Sequence, residues 1–349
     1  MHNTIVGCSL AGFAYTKFLM SEAIETQLQK IRAKRDLSCF DIYSIDQLTT
    51  TDLSLIFTVA AGFRDAKTAK LTLGKGNTQI NCFFEPSTRT QASFDLSAKH
   101  LGMDTTNVGG SSSAKKGESF IDTAETLDAY NAKTIVVRSS EAGVAEVIAR
   151  HVNASVLNAG DGWHEHPTQG LLDALTMLDH FKSETLEGRI VTIVGDITHS
   201  RVFGSLVRVL TKLNATVRVA APATLLPEAV EQFGIVVFHD IKAALDGADV
   251  VYALRVQEER GAKGFIPTLR EYAKTFGISE RRLELAKPDA ILMHPGPVIR
   301  DIDVHSALVS RHPQSRILQQ VENGMAIRKA LLWLLVDRVD GASKEFSRM

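Results

Sequence analysis

The stretch Phe83-Phe84-Glu85-Pro86-Ser87-Thr88-Arg89-Thr90 concentrates more anion-binding chemistry than any other part of the chain. An apolar run stops at Pro86, hydroxyl side chains follow, and Arg89 stands where a helix would begin. Such a junction aims free backbone N–H groups, the positive end of a helix dipole, three hydroxyl donors and a guanidinium fork at one spot. A phosphate suits it. Taken alone, the same residues also suit a plain helix cap with a solvent-facing arginine, since hydroxyl caps are common.

Five further segments carry polar groups that could serve a site, most of them just after apolar runs. Ser111 to Glu118 is a loop with two adjacent cations, Lys115 and Lys116, and Arg138 closes the run at 134–138. His164-Glu165-His166-Pro167-Thr168-Gln169 adds an imidazole and a carboxamide. Arg255-Val256-Gln257 and His294-Pro295-Gly296-Pro297 follow two later runs. Open α/β sheets bind ligands at strand ends, so this placement matters more than each residue type. His164 and His166 lack a third clear ligand nearby, so no metal is expected. Val194-Gly195-Asp196-Ile197 resembles a nucleotide-binding turn but lacks the GxGxxG glycines, so no dinucleotide is expected either.

The elements that must position these groups alternate between short apolar runs and amphipathic segments, the pattern of an α/β chain. Strands are expected at 79–84, 134–138, 155–158, 189–195, 216–220, 235–238, 249–254 and 290–293. Their unbroken apolarity predicts parallel sheets buried on both faces. Thr49, Thr50, Thr51 and Asp52 offer N-cap chemistry before a helix over 53–63. Further helices are expected over 21–35, over 168–181 as a bridge between halves, and over 322–336 packing back on the first half. The Gly-Ser cluster at 109–113 predicts a loop.

At 349 residues the chain suits two domains with a cleft between them. Thirty-nine basic and 40 acidic side chains leave a net charge of -1, which excludes a broad basic field for nucleic acid. Cys8, Cys39 and Cys82 are odd in number and lack metal-ligand spacing, which predicts a reducing, cytoplasmic setting. The run from Ile5 to Met20 is broken by Ser9, Tyr15, Thr16 and Lys17 and has no basic lead, so neither export nor membrane insertion is expected.

In order and together, these segments resemble the aspartate/ornithine carbamoyltransferase family, and within it the aspartate carbamoyltransferase catalytic chains. The resemblance runs from Phe83 to the last helix: FFEPSTRT, the Ser-Lys loop, VVR at 136–138, NAGDG and HPTQ within 158–169, Gly195-Asp196 with Ser200-Arg201, RVQ at 255–257 and HPGP at 294–297. It implies an α/β fold of two domains, each a mostly parallel sheet flanked by helices, linked by interdomain helices. Residues 39–167 with 318–349 would form the carbamoyl-phosphate-binding domain, and 168–317 the aspartate-binding domain. Residues 1–38 are an extension without a family motif; docking to a regulatory chain or a dihydroorotase-like partner stays open for them.

The activity implied is transfer of the carbamoyl group of carbamoyl phosphate to the aspartate amine, a step of pyrimidine biosynthesis, without metal or organic cofactor. Ser87, Thr88, Arg89 and Thr90 would hold the phosphate; Thr90, Arg138 and His166 would face the carbonyl oxygen, and Gln169 the carbamoyl amide. Negative charge builds on that oxygen during attack, and fixed donors stabilise it. Arg201, Arg255 and Gln257 would hold the acceptor carboxylates, with Pro295 and Gly296 offering carbonyls to its amine. Ser112 and Lys116 would enter the site of a neighbouring subunit, which implies a homotrimer with shared sites.

Arg255-Val256-Gln257 resembles the aspartate branch, whereas ornithine enzymes carry an SMG-type loop and a cysteine in place of Gly296. Two departures from the family pattern stand out: Gln91 replaces a second arginine after STRT, and Gly296 replaces a leucine, a change expected to cost little. A non-catalytic member of the same fold and a carbamoyltransferase for another amino acid, such as ornithine, remain the alternatives at this point.

Overall fold

The protein is described by a computed structural model over residues 22–31, 36–65, 70–109, 117–257 and 264–337. Two separate parallel sheets organise it. The first contains β1 (Thr78–Phe83), β2 (Asp104–Gly109), β3 (Thr134–Ser139) and β4 (Ser155–Asp161) in the order β2-β1-β3-β4. The second contains β5 (Ile190–Val194), β6 (Thr216–Ala220), β7 (Val236–Phe238), β8 (Val250–Ala253) and β9 (Ile291–Met293) in the order β7-β6-β5-β8-β9.

Burial explains why most strands were predictable. All residues of β3, β4, β8 and β9 are buried, which is the two-faced burial their continuous apolar runs require. β2 has no counterpart among the expected strands. It is an edge strand, Asp-Thr-Thr-Asn-Val-Gly, largely exposed, so it never needed the apolar run that marks the others.

Five helices position the site: α1 (Thr50–Asp65), α2 (Thr88–His100), α3 (Pro167–Phe181), α4 (Arg201–Lys212) and α5 (Ile317–Val336). α1 opens on a reciprocal cap, in which Asp52 N donates to Thr49 Oγ1 at 3.1 Å and Thr49 N donates to Asp52 Oδ2 at 2.8 Å. α3 starts on Pro167, and every residue from Pro167 to Leu178 is buried, as befits a helix enclosed between two halves. A Cβ on Gly170 would lie 3.0 Å from the Ser205 backbone, so α3 and α4 meet almost backbone to backbone. α5 begins earlier than its amphipathic pattern suggested and packs on α1, α2 and α3.

The main core joins these helices and runs into the second sheet, with Trp333 of α5 edge-on to Phe63 of α1 at 5.8 Å. Residues 22–31 are helical and bury Leu28 in that core. The expected helix over 21–35 otherwise lies outside the described residues, as do Ser112 and Lys116.

Chain order reverses between β1 and β3 in the first sheet and between β5 and β8 in the second. Ligands in open parallel sheets bind beyond the strand ends at such reversals. β1 ends into Ser87 to Thr90 and β3 carries Arg138, while β5 leads to Arg201 and β8 to Arg255. The four basic groups therefore come from the four strands where topology opens a crevice.

Candidate active site

One cleft of about 900 Å³ gathers every described residue that the sequence nominated. On its first-sheet side lie Ser87, Thr88, Arg89, Thr90, Arg138, His166 and Gln169. Arg201, Arg255, Gln257, Pro295 and Gly296 line the opposite side. Gln91 is not among the lining residues; its N–H donates to Ser87 O in the first turn of α2.

Ser87 caps α2 with an extended backbone but makes no side-chain cap bond, so its hydroxyl is not spent on the helix. The N–H groups of the first turn and the α2 dipole thus point into the cleft beside Arg89. Burial draws the Arg89 guanidinium below its ordinary pKa, yet it stays cationic at neutral pH. Arg138 Nη1 donates to Ala159 O at 3.0 Å, which holds the guanidinium at the end of β3. His166 is fixed by its backbone N–H donating to Ser205 Oγ at 2.9 Å, with Pro167 starting α3 next to it.

On the second side, Ser200 caps α4 and Arg201 is its first residue, almost fully buried. Arg201 Nη1 donates to Ser139 O at 3.2 Å, and its Nη2 donates to both oxygens of Glu85 at 2.9 and 2.6 Å. Glu85 also lies 3.5 Å from Arg138 Nε. Sequence reasoning quoted Glu85 within FFEPSTRT but gave it no role. Its signal was the rarity of an acid inside an anion-binding motif.

Arg255 Nη2 donates to Gln257 Oε1 at 3.2 Å, and Gln257 N donates to Asp196 Oδ2 at 3.1 Å, so the loop after β8 is tied to the turn after β5. His294 Nδ1 accepts from Gly296 N at 2.8 Å, which leaves the ring proton on Nε2, facing Asp303 Oδ2 at 3.3 Å. That ring shapes the turn bearing Pro295 and Gly296.

Gly296 sits in a left-handed turn. Its φ is +66°, and a Cβ there would sit 2.5 Å from Arg89 Nη1. A side chain at this position would be strained and would push the flexible end of the Arg89 side chain aside.

Arg328 of α5 was also missed. It lines the cleft, donates from Nη1 to Ser93 Oγ at 2.7 Å, and has its pKa drawn down to about 10 by burial. An arginine inside the apolar run from Met325 to Leu335 was the available clue. His164 is held by Asp161 at 3.1 Å, and among the described residues no cluster of three or more His, Cys, Asp or Glu side chains is placed to hold a metal.

Two family models match the chain. Residues 41–179 match the aspartate/ornithine carbamoyltransferase carbamoyl-P binding domain, and residues 187–335 match the corresponding Asp/Orn binding domain. The chain is 48% identical over 298 residues to the aspartate carbamoyltransferase catalytic subunit of Syntrophotalea carbinolica, covering 84% of this chain and 94% of that one. It is 47% identical over 308 residues to the same subunit of Beijerinckia indica subsp. indica, covering 87% and 96%. The crystal structure of aspartate transcarbamoylase from Trypanosoma cruzi with carbamoyl phosphate and aspartate superposes with a TM-score of 0.75 at 29% identity, over 85% of this chain and 95% of that one. Ornithine carbamoyltransferase from Thermus thermophilus gives 0.76 at 25% identity, over 86% and 99%. Family models spanning both sheets, and relatives near half identity along most of their length, carry one conclusion: the chain belongs to the aspartate/ornithine carbamoyltransferase family.

Proposed function

We infer that this chain transfers the carbamoyl group of carbamoyl phosphate to the amine of aspartate, giving N-carbamoyl-aspartate and phosphate, the carbamoylation step of pyrimidine biosynthesis. The observation that carries the reading is the sorting of charge within one cleft. An α2 N-terminus with Arg89 and Arg138 stands on one side, and Arg201 with Arg255 and Gln257 on the other. A doubly anionic phosphate fits the first group, and two carboxylates fit the second, because guanidinium forks match both geometries.

In this reading Ser87, Thr88, Arg89 and Thr90 bind the phosphate, and Thr90, Arg138 and His166 donate to the carbonyl oxygen. Gln169 accepts from the carbamoyl NH2. The amine lone pair attacks the carbamoyl carbon, a C–N bond forms, and the bond between that carbon and the bridging phosphate oxygen breaks. The leaving phosphate carries away the amine proton, so no protein nucleophile is needed. Positioning and charge stabilisation supply the catalysis, each oxyanion donor contributing about 10²- to 10³-fold.

The acceptor assignment rests on Arg255 and Gln257: a fixed cation favours a second carboxylate and repels the side-chain ammonium of ornithine. Gln91, the feature that favoured a non-catalytic member, does not line the cleft. We place residues 39–167 with 318–349 in the donor domain and 168–317 in the acceptor domain.

Ser112 and Lys116 complete the site of an adjoining copy in a homotrimer. Leu96 and Val321, 48% and 63% exposed at the rim of the cleft, support a covering neighbour there. A cytoplasmic setting is supported by Cys82, a buried thiol pushed up to about 12 by burial.

The test is an assay of purified protein with carbamoyl phosphate and either aspartate or ornithine, following the carbamoylated product. Carbamoyl-aspartate is expected. Product with ornithine alone would reverse the acceptor, and product with neither would return the non-catalytic reading.

A further inference from the structure

Behind the cleft, α3 carries a carboxylate that no part of the reaction uses. Asp173 is fully buried and receives three hydrogen bonds: Oδ1 accepts from Gln169 Nε2 at 3.0 Å and from Gln320 Nε2 at 2.7 Å, and Oδ2 accepts from Tyr252 Oη at 2.6 Å. The partners come from three elements, namely α3 itself, α5 and β8. Gln320 passes the connection on, since its Oε1 accepts from His294 N at 3.0 Å, at the head of the turn bearing Pro295 and Gly296.

A carboxamide has one donor end and one acceptor end, and free in a wet cleft it flips between them. Asp173 removes that freedom from Gln169. Burial pushes the Asp173 carboxyl up to about 7, and the three donors from Tyr252, Gln320 and Gln169 favour its ionised form; that form only accepts, so Gln169 Nε2 faces it and Oε1 is the end turned away. A carbamoyl NH2 is a donor and needs that oxygen; a flipped amide would set donor against donor.

We propose that Asp173 is a positioning residue that fixes the amide polarity of Gln169 so that its oxygen meets the carbamoyl NH2, and that through Gln320 it locks this orientation to the acceptor-side turn. The inference rests on the carbamoyl-transfer reading above. Charge matters as well as shape. Two Nε2 groups and a phenol converge as donors on two carboxylate oxygens, and an asparagine would offer one oxygen and add a competing NH2. One donor must then let go. Gln169, 8% exposed against 2% for Gln320 and 0% for Tyr252, is the one with cleft water as an alternative partner.

The experiment compares Asp173→Asn, Gln169→Ala, the double variant and Tyr252→Phe by steady-state kinetics, with inorganic phosphate as an inhibitor. Asp173→Asn is expected to lower kcat about tenfold or more, as misdirected hydrogen bonds at a developing charge do. Phosphate inhibition should stay within about twofold, because the 87–90 grip is untouched, and the double variant should be no worse than Gln169→Ala, as for residues acting through one contact. Tyr252→Phe removes a donor from the same carboxylate but leaves Gln169 bonded, so its kcat should stay within about twofold even if the melting temperature falls.

Multiplying losses in the double variant, or a weakened phosphate site in Asp173→Asn, would overturn the proposal. Equal loss of kcat in Tyr252→Phe would do the same. If Asp173→Asn does not fold, the wild type still decides: the side-chain NH2 signal of Gln169, assigned by its absence in Gln169→Ala, should exchange slowly with water, and fast exchange places that nitrogen in the cleft. An inactive wild type with slow exchange would instead remove the transfer reading while keeping the amide orientation.

Discussion

Glu85 and Arg201 grip each other across the cleft, with both carboxylate oxygens of Glu85 accepting from Arg201 Nη2 at 2.9 and 2.6 Å. Glu85 follows β1 of the first sheet, and Arg201 opens α4 beside the second. Arg138 shares the same carboxylate at 3.5 Å, so one acid compensates two guanidiniums. Without it, two like charges in a half-enclosed space repel and the two sides lose their tie. Glu85→Ala should therefore raise the aspartate KM and lower kcat about tenfold, equivalent to about 1.4 kcal/mol at the transition state. Steady-state kinetics check this, and an unchanged aspartate KM would show that the bridge is idle.

The two ends of the cleft predict a division of labour. Arg89 stands beside the α2 N-terminus, and Arg255 on the loop held by Gln257 and Asp196. Arg89→Ala should abolish carbamoyl phosphate binding measured by calorimetry. Arg255→Ala should leave that binding within about twofold and raise the aspartate KM by about 10²-fold, the scale of a lost charge-assisted pair. Equal damage to both substrates in either variant would contradict the assignment.

Gly296 gives a prediction that runs against its small size. Its φ of +66° strains any side chain there, and a built Cβ, 2.5 Å from Arg89 Nη1, requires the end of that arginine to shift. Gly296→Ala should cost about 1 to 2 kcal/mol from the left-handed backbone alone. The displaced Arg89 should also raise the carbamoyl phosphate KM, although residue 296 belongs to the acceptor-side turn. Kinetics with each substrate varied in turn separate the two effects.

These cases show what the sequence made legible. Strand ends at Arg138, Arg201 and Arg255 were readable because continuous apolar runs mark buried parallel strands, and topology sends their ends to one crevice. β2 was not, because an edge strand such as Asp104–Gly109 is exposed and carries no apolar signature. Glu85 and Asp173 escaped for another reason. Their roles exist only through partners 116 and 79 residues away, Arg201 and Tyr252, and such pairings are set by packing rather than by local pattern. The φ of Gly296 and its nearness to Arg89 are likewise properties of the folded turn, which the local sequence does not carry.

Lys329 supplies a pH prediction away from the cleft. It is buried, donates to Phe63 O at 2.9 Å, and its ammonium is drawn from an ordinary 10.5 down to about 8 by burial. The folded chain gives up this proton near pH 8, and the unfolded chain only near 10.5. Between those values the unfolded state binds more protons, so this group's contribution to stability rises with pH. Below pH 8 the full penalty of a buried charge is present. Lys329→Met should accordingly be more stable than wild type at pH 7 by about 1 to 2 kcal/mol, after allowing for the orphaned Phe63 carbonyl. The advantage should shrink steadily as pH climbs from 8 towards 10, in denaturant midpoints compared at one protein concentration. An advantage constant with pH would mean that Lys329 is not titrating as described.

Shared sites make a prediction that no single-chain measurement can reach. If Ser112 and Lys116 serve a neighbouring copy, a trimer built from one kind of damaged subunit has no intact site, whether the damage is Arg89→Ala or Lys116→Ala. Mixed trimers differ. Wherever a subunit keeping Lys116 adjoins one keeping Arg89 in the correct order, one site is whole, and each mixed ring contains one such junction. Unfolding the two inactive variants together and refolding them at equal concentration should therefore restore about a quarter of wild-type activity, given random assembly in a closed three-fold ring. Separate refolding followed by mixing should restore none while the trimers hold together. Recovery in neither protocol, with trimers verified by light scattering, would place Lys116 in its own subunit's site.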